Sequence, residues 1–325
     1  MKLKMLTTGL ASAALVLAAA GCAEKDQSAI DQSTIDQGAT ETSAAAVEEV
    51  QVQDTAVERQ GADAVASGTE QGAANTLQAV IAGDQRTPEY AQRDQYRHPA
   101  ETIEFIGIEP DMTVVEVAPG GGWYTEILAP YLKDAGTFYA AHFPADSEAE
   151  YYQRSLQAYK DKLAADEASY GEVILTEFDP ASASEIAPAG TADVVVTFRN
   201  VHNWMRGENE QQAFENFFAA LKPGGVLGVV EHRAKPGTSR EDMISSGYVT
   251  QDYVIQVAEQ AGFELDAASE INANPKDSAD HPKGVWTLPP SLRLGEEDRD
   301  KYLAIGESDR MTLRFRKPAD AASTD

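Results

Sequence analysis

The chain has 325 residues, with 26 Lys and Arg against 53 Asp and Glu, giving a formal net charge of −27. A field of that sign repels phosphate backbones and anionic headgroups, which argues against nucleic-acid binding and electrostatic docking on a membrane. The one cysteine, Cys22, leaves no disulfide framework, catalytic thiol or cysteine metal site to consider.

In chain order, the first signal is for export. Lys2 and Lys4 form a basic start, and Leu10 to Ala20 form an apolar run of signal-peptide rather than membrane-spanning length. Ala19, Ala20 and Gly21 then lead into Cys22, which resembles a bacterial lipobox with Ala19 in the place usually held by Leu. The resemblance implies that residues 1–22 are a lipoprotein signal ending in an acylated cysteine, with the lipid as the only membrane contact. Ala23, rather than Asp, follows the cysteine, which by resemblance to enteric bacteria implies the periplasmic face of the outer membrane. Residues 23–74 are polar, acidic and nearly free of aromatics, a composition that cannot bury enough apolar surface to offset ordering. About fifty such residues, at ~5–6 Å × √n, would span ~40 Å as a tether. A short polar tail, 319–325, closes the chain, so the folded domain is expected over 75–318.

Within that domain strand and helix signals alternate. TLQAVIAG and PAETIEFIG read as helices, the second closed by Gly107. MTVVEVA is a near-continuous apolar run of the kind buried in a parallel sheet. WYTEILAPYL has helical spacing, and GTFYAAHF is a second strand. The helix SEAEYYQRSLQAYKDKLAA, the strands EVILTEF and ADVVVTF, the helix QQAFENFFAAL and the strand GGVLGVVEH follow. The last elements are the helix YVTQDYVIQVAEQAG and the strands FELDAASEI and MTLRFRK. Strands separated by helices imply βαβ crossovers: an α/β, Rossmann-like open sheet with helices on both faces. The final two strands, joined by a loop with no helix of its own, are expected to be antiparallel. That loop, 272–309, is long enough to be either a functional lid or a packed surface crossover, with Trp286, Pro289 and Pro290 to pin it.

In such a sheet ligands bind beyond the carboxyl ends of the strands, where the winding reverses. The first strand delivers Glu116, Val117, Ala118, Pro119, Gly120, Gly121 and Gly122 to that edge. Glycines let the backbone approach a ligand closely, and the following helix starts with free N–H groups. A dinucleotide site wants G-x-G-x-x-G; Thr125 stands at the third position, which counts against NAD or FAD. The absence of G-x-S-x-G removes the usual serine hydrolase.

The order of elements and these motifs resemble the class I S-adenosylmethionine-dependent methyltransferases, whose first loop reads roughly (D/E)-x-G-x-G-x-G. Glu116, Gly120 and Gly122 match it, and Ala118 replaces its first glycine. LKPGGVLGVVEHR resembles the segment leading into the family's fifth strand, and ADVVVTFRNVHNW its fourth strand and turn. The P-G-G-G loop and the GVWTL segment are similar to a poorly characterised bacterial group of methyltransferases.

The resemblance implies S-adenosylmethionine as cofactor. Gly120, Gly121 and Gly122 would hold its methionine portion, with Glu116 on the amino group or on loop amides. Asp179 would meet the adenine, or else cap a helix before Pro180. Asn200 and His202 would stand at the reactive end, and the acceptor would be a small molecule. The second strand departs from the family by ending in His142 instead of an acid, and a neutral imidazole accepts one hydrogen bond where a carboxylate takes both ribose hydroxyls. Ala118, preceding Pro119, is biased to an extended backbone. His142, His202 and His232 share the sheet edge with Glu231 and Asp179, yet no H-x-x-H spacing supports a metal, and none is assigned. Two functions stay open: methyl transfer to a small acceptor, and a non-catalytic envelope lipoprotein that reuses the fold to bind another ligand.

Overall fold

A computed structural model describes residues 76–319. The export signal with Cys22, the 23–74 tether and residues 320–325 of the tail lie outside the described residues.

Four short helices come first: α1 (Leu77–Ile81), α2 (Pro88–Ala91), α3 (Asp94–Arg97) and α4 (Pro99–Ile106). Thr76 caps α1 through its side chain, and Gly107 ends α4 at φ 87°, a left-handed conformation that favours glycine. The alternating part follows as β1 (Thr113–Val117), α5 (Thr125–Leu132), β2 (Thr137–His142), α6 (Glu150–Ala165), α7 (Glu167–Tyr170) and β3 (Ile174–Glu177). It continues through β4 (Ala192–Phe198), α8 (Val201–Trp204), α9 (Glu210–Ala220), β5 (Leu221–His232), α10 (Arg240–Ser246), α11 (Gln251–Gln260) and β6 (Glu264–Ser269). A short extended segment β7 (Pro282–Val285), α12 (Arg299–Ile305) and β8 (Arg310–Arg316) complete it.

The seven-stranded sheet has the order β3-β2-β1-β4-β5-β8-β6. The pairs among β1 to β5 are parallel; β8 runs antiparallel to both β5 and β6. This is the Rossmann-like, mostly parallel α/β sheet with an antiparallel C-terminal pair that the sequence predicts. Alternate residues of β1 serve opposite faces. Val115 and Val117 join Phe214, Phe217, Val254 and Val257 from α9 and α11, whereas Val114 joins Ile103, Ile106, Ile127 and Leu128 from α4 and α5. Burying both faces is what requires the near-continuous apolar strands.

Two details depart from the expectation. The 272–309 segment is not without a helix, since α12 lies within it, and its Trp286 and Val285 are buried against Tyr248 and Ala234. Ala118 is not extended: its φ is 51°, and its N–H donates to the Ala141 carbonyl at 2.8 Å. That bond to the end of β2 outweighs the pre-proline preference, and it holds a non-glycine residue where left-handed backbone costs ~1 kcal/mol or more.

The winding sets the site. The chain runs outward from β1 through β2 to β3, then returns to lay β4 on the other side of β1, so the reversal falls between β1 and β4.

Candidate functional site

At the carboxyl end of that β1–β4 boundary lies a cleft of about 1020 Å³, counting its open mouth. Its floor is the loop from Glu116 to Gly121. Gly120 and Gly122 have φ values of 59° and 83°, and Ala118 shares that hand, so the loop coils back on itself at the strand tip. A Cβ at Gly122 would come within 3.2 Å of Tyr159 and Lys162 of α6, which fixes how closely helix and loop pack. Gly121 has an ordinary φ and lines the cleft; its carbonyl accepts from the Tyr90 hydroxyl at 3.3 Å.

Glu116 is 2% exposed and lines the cleft. Thr125 donates to its Oε2 at 2.7 Å, and Thr125 Oγ1 lies 2.9 Å from the Tyr159 hydroxyl. Burial pushes the carboxyl up to about 8, against a smaller opposing effect of the Thr125 bond, so Glu116 holds its proton at neutral pH.

β4 and β5 bring a second pair of groups. His202, in α8, lines the cleft and is 4% exposed. Its Nδ1 lies 3.0 Å from Glu231 Oε1, and its N–H donates to Oε2 at 3.3 Å. Glu231, at the end of β5 and fully buried, also accepts the His232 N–H at 2.7 Å. An imidazole whose Nδ1–H is held by a buried carboxylate keeps Nε2 as a lone-pair acceptor, which is the arrangement a general base needs. Asn200 lines the cleft too, but its amide is engaged: Nδ2 donates to the Val117 carbonyl at 3.2 Å, the Ala118 carbonyl at 3.4 Å and Thr197 Oγ1 at 3.1 Å. It ties the tip of β4 to the glycine loop. Tyr124, buried and stacked on Phe198 with ring centres 3.5 Å apart, is wall; burial pushes its hydroxyl up to about 12.

Other residues singled out in the sequence sit elsewhere. His142 ends β2 but does not line the cleft. Its Nδ1 accepts the Phe143 N–H at 2.8 Å, its Nε2 faces the Gly120 carbonyl at 3.4 Å, and burial lowers it to about 4. The imidazole is therefore neutral and braces the loop. Asp179 is likewise outside the cleft, and no helix follows it. It closes its own turn, accepting from the Ala181 N–H at 2.9 Å and the Ser182 hydroxyl at 3.2 Å.

His202, Glu231 and His232 place ligand atoms within 4.8 Å of one another, close enough for a metal ion. Burial, then His202, Arg199 and Arg310, hold His232 well below the usual imidazole range. The same two guanidinium groups would oppose a divalent cation, and His232 Nδ1 already meets the Ser308 hydroxyl at 2.5 Å.

Sequence reasoning missed one group of residues entirely. Arg93, Arg97, Arg199 and Glu307 all line the cleft. Glu307 Oε1 accepts Arg93 Nε at 2.6 Å, and Oε2 accepts Arg97 Nε at 3.2 Å and Arg310 Nη2 at 2.7 Å. Burial alone would raise the Glu307 carboxyl, but Arg97, Arg310, Arg93 and Arg199 hold it well below the usual range. Burial lowers Arg199 to about 10, assisted by Arg93, which leaves it charged at neutral pH. The roof is the 285–291 segment, with Trp286 and Pro290, so the long loop packs over the cleft.

No protein-family profile matches the chain, and no curated protein does. Solved structures do. A SAM-dependent methyltransferase from Aquifex aeolicus aligns over 74% of this chain and 98% of its own at 15% identity, with a TM-score of 0.47. The cyclase SpnF aligns over 73% and 84% at 17% identity, with a TM-score of 0.48. An S-adenosylmethionine-dependent methyltransferase from Mesorhizobium loti aligns over 66% and 96% at 13% identity, with a TM-score of 0.42. What the site can do follows from its own residues.

Proposed function

We propose that the chain is an S-adenosylmethionine-dependent methyltransferase acting on a small molecule. The observation that supports it best is the coiled loop of Ala118, Gly120 and Gly121 sharing one cleft with a buried, protonated Glu116 and with His202. The residues fit the amino-acid half of the cofactor: exposed loop backbone at Gly120 and Gly121, and a carboxyl at Glu116 that becomes an anion when a cation approaches. They fit the nucleoside half less well, because His142, expected at the ribose, and Asp179, expected at the adenine, spend their hydrogen bonds internally. When bound, the cofactor supplies an electrophilic methyl group on a sulfonium.

The chain supplies position and a proton acceptor. His202 Nε2 would take the proton that the attacking atom of the acceptor gives up. Glu231 stabilises the imidazolium that results. Asn200 positions the loop. Trp286 and its neighbours screen the cleft from water, which strengthens each of these interactions.

Titration calorimetry of the full chain with S-adenosylmethionine and S-adenosylhomocysteine tests this. Micromolar to sub-millimolar binding is expected, since a lost ribose bond costs on the order of 1–3 kcal/mol, about ten- to hundredfold in affinity. Gly121→Val, at a position without the left-handed φ of Gly120 and Gly122, should weaken binding without unfolding the chain. Binding of neither compound at millimolar concentration would leave the reading of a non-catalytic binding lipoprotein, which the internal bonding of His142 and Asp179 favours. On either reading we place the protein in the bacterial envelope, exported and lipid-anchored through Cys22 at the periplasmic face of the outer membrane. The support for that is the sequence of residues 1–23 alone.

A further inference from the structure

The arginine cluster is not balanced. Arg93, Arg97, Arg199 and Arg310 surround the single carboxylate of Glu307, four guanidinium groups to one acid in a chain whose net charge is −27. Glu116, the other acid lining this part of the cleft, holds its proton, and Glu231 is committed to His202 and the His232 N–H. Arg97 is 1% exposed, yet both its Nη atoms lack a hydrogen-bond partner among the described residues, as does Arg93 Nη2. Arg97 is also held in place, its guanidinium lying 4.7 Å from the Trp123 ring centre and its Nε on Glu307. Arg199 takes no part in the ion pairs of Glu307, and it stands at the tip of β4 with φ 63°, a left-handed conformation unfavourable for a non-glycine residue.

Buried guanidinium N–H groups without acceptors are unfavourable, so the open Nη atoms of Arg97 and Arg93 mark where an oxyanion would be held. Guanidinium forks match the planar or tetrahedral oxygens of carboxylate and phosphate, taking them two bonds at a time. The cofactor does not supply enough negative charge: S-adenosylmethionine carries a sulfonium and an ammonium against one carboxylate, and is a net cation.

We propose that the methyl acceptor is an anion, whose carboxylate or phosphate seats on Arg97, Arg93 and Arg199 beside His202. The oxyanion site stands on the arginines, and the anion's role as acceptor rests on the methyltransferase reading above. The arrangement assigns a division of labour: the arginines hold the charged end while His202 meets the nucleophilic end.

The test is calorimetry of the full chain with malonate, inorganic phosphate and neutral malonamide, alone and with saturating S-adenosylhomocysteine. Malonate or phosphate should bind while malonamide does not, with the tighter anion assigning the class. Affinity should fall at least tenfold in Arg199→Met, and recover only partly in Arg199→Lys, which keeps the charge but loses the fork. Circular dichroism confirms that these variants fold; Arg93→Met serves if Arg199→Met does not. Anion binding should persist with S-adenosylhomocysteine present. The proposal is overturned if malonamide binds as well as malonate, or if neither anion binds. It is equally overturned if the anions compete with S-adenosylhomocysteine and decarboxylated S-adenosylmethionine loses affinity, because the arginines would then serve the cofactor's own carboxylate. Anion binding without any cofactor binding upholds the oxyanion site and sinks the methyltransferase reading, so the two failures are distinguishable.

Discussion

Glu116 couples the cleft to pH. Its carboxyl is raised by burial to about 8, so between the unfolded value near 4.5 and about 8 the folded state keeps a proton that the unfolded chain releases. Stability from this group is therefore present below pH 4.5 and is lost as pH rises to 8. Glu116→Gln, which keeps the shape and can still accept from Thr125, should match wild type near pH 4.5. It should then gain on it in melting temperature up to pH 8 and hold the difference above, by an amount on the order of a few kcal/mol. A difference independent of pH would show that Glu116 is ionised in the folded protein. His202 makes a kinetic prediction. His202→Ala should lower kcat about a hundredfold or more with little change in KM, since the ring is assigned to proton transfer and not to binding. Glu231→Gln should cost less in kcat, because the amide oxygen can still accept from the imidazole but cannot stabilise an imidazolium. Equal losses in kcat and KM-dependent binding for His202→Ala would make it a wall residue.

The strands and long helices were legible because each carries its own period: apolar runs for β1 and β4, three-to-four spacing for α5, α9 and α11. The short elements α2, α3, α8, α10 and α12 were not, since four to seven residues give too few turns for a period to appear. Half of the candidate site was equally legible. The glycine loop and His202 lie directly after parallel strands, where winding rules place ligands. The arginines escaped because they come from α3 and the residue before it, the tip of β4 and the start of β8, four positions spread from Arg93 to Arg310 that no local pattern connects. The antiparallel β8 is the key: it enters the sheet at the cleft edge, opposite His232, and so brings Glu307, Ser308 and Arg310 there. The early helices are pinned by a second buried carboxylate. Glu126 of α5, 1% exposed, accepts the Thr87 N–H at 2.8 Å, pairs with Lys162 at 2.5 Å and lies 3.5 Å from Arg86 Nε. Glu126→Ala should destabilise the domain by about 1–3 kcal/mol, read as a lower midpoint in urea at unchanged slope, because it leaves the Thr87 N–H and Arg86 Nε without the carboxylate while Arg86 keeps Asp94. Glu126→Gln should cost clearly less. A surface-like loss below ~1 kcal/mol would show that the α1–α4 segment is not held there.

For the whole molecule the prediction concerns what the domain needs. Residues 76–319 contain both apolar layers of the sheet, the cleft and its roof, and the charge networks of Glu126 and Glu307. The 23–74 segment has almost no aromatic residues and a composition that cannot repay its own ordering. A chain starting at Asn75 should therefore unfold cooperatively, with a thermal midpoint within a few degrees of the full chain and the same affinity for malonate or phosphate in the cleft. Thr76, which caps α1 through its hydroxyl, has to be kept, since removing an N-cap costs ~1 kcal/mol. The full chain should differ in one respect, its attachment. Expressed with a bacterial lipoprotein-processing system, it should take up labelled fatty acid and partition with membranes. The Asn75 form and Cys22→Ser should do neither, while keeping the same midpoint. Equal labelling of wild type and Cys22→Ser would remove the anchor, and a midpoint lowered by ten degrees in the short form would mean that the acidic segment packs onto the domain after all.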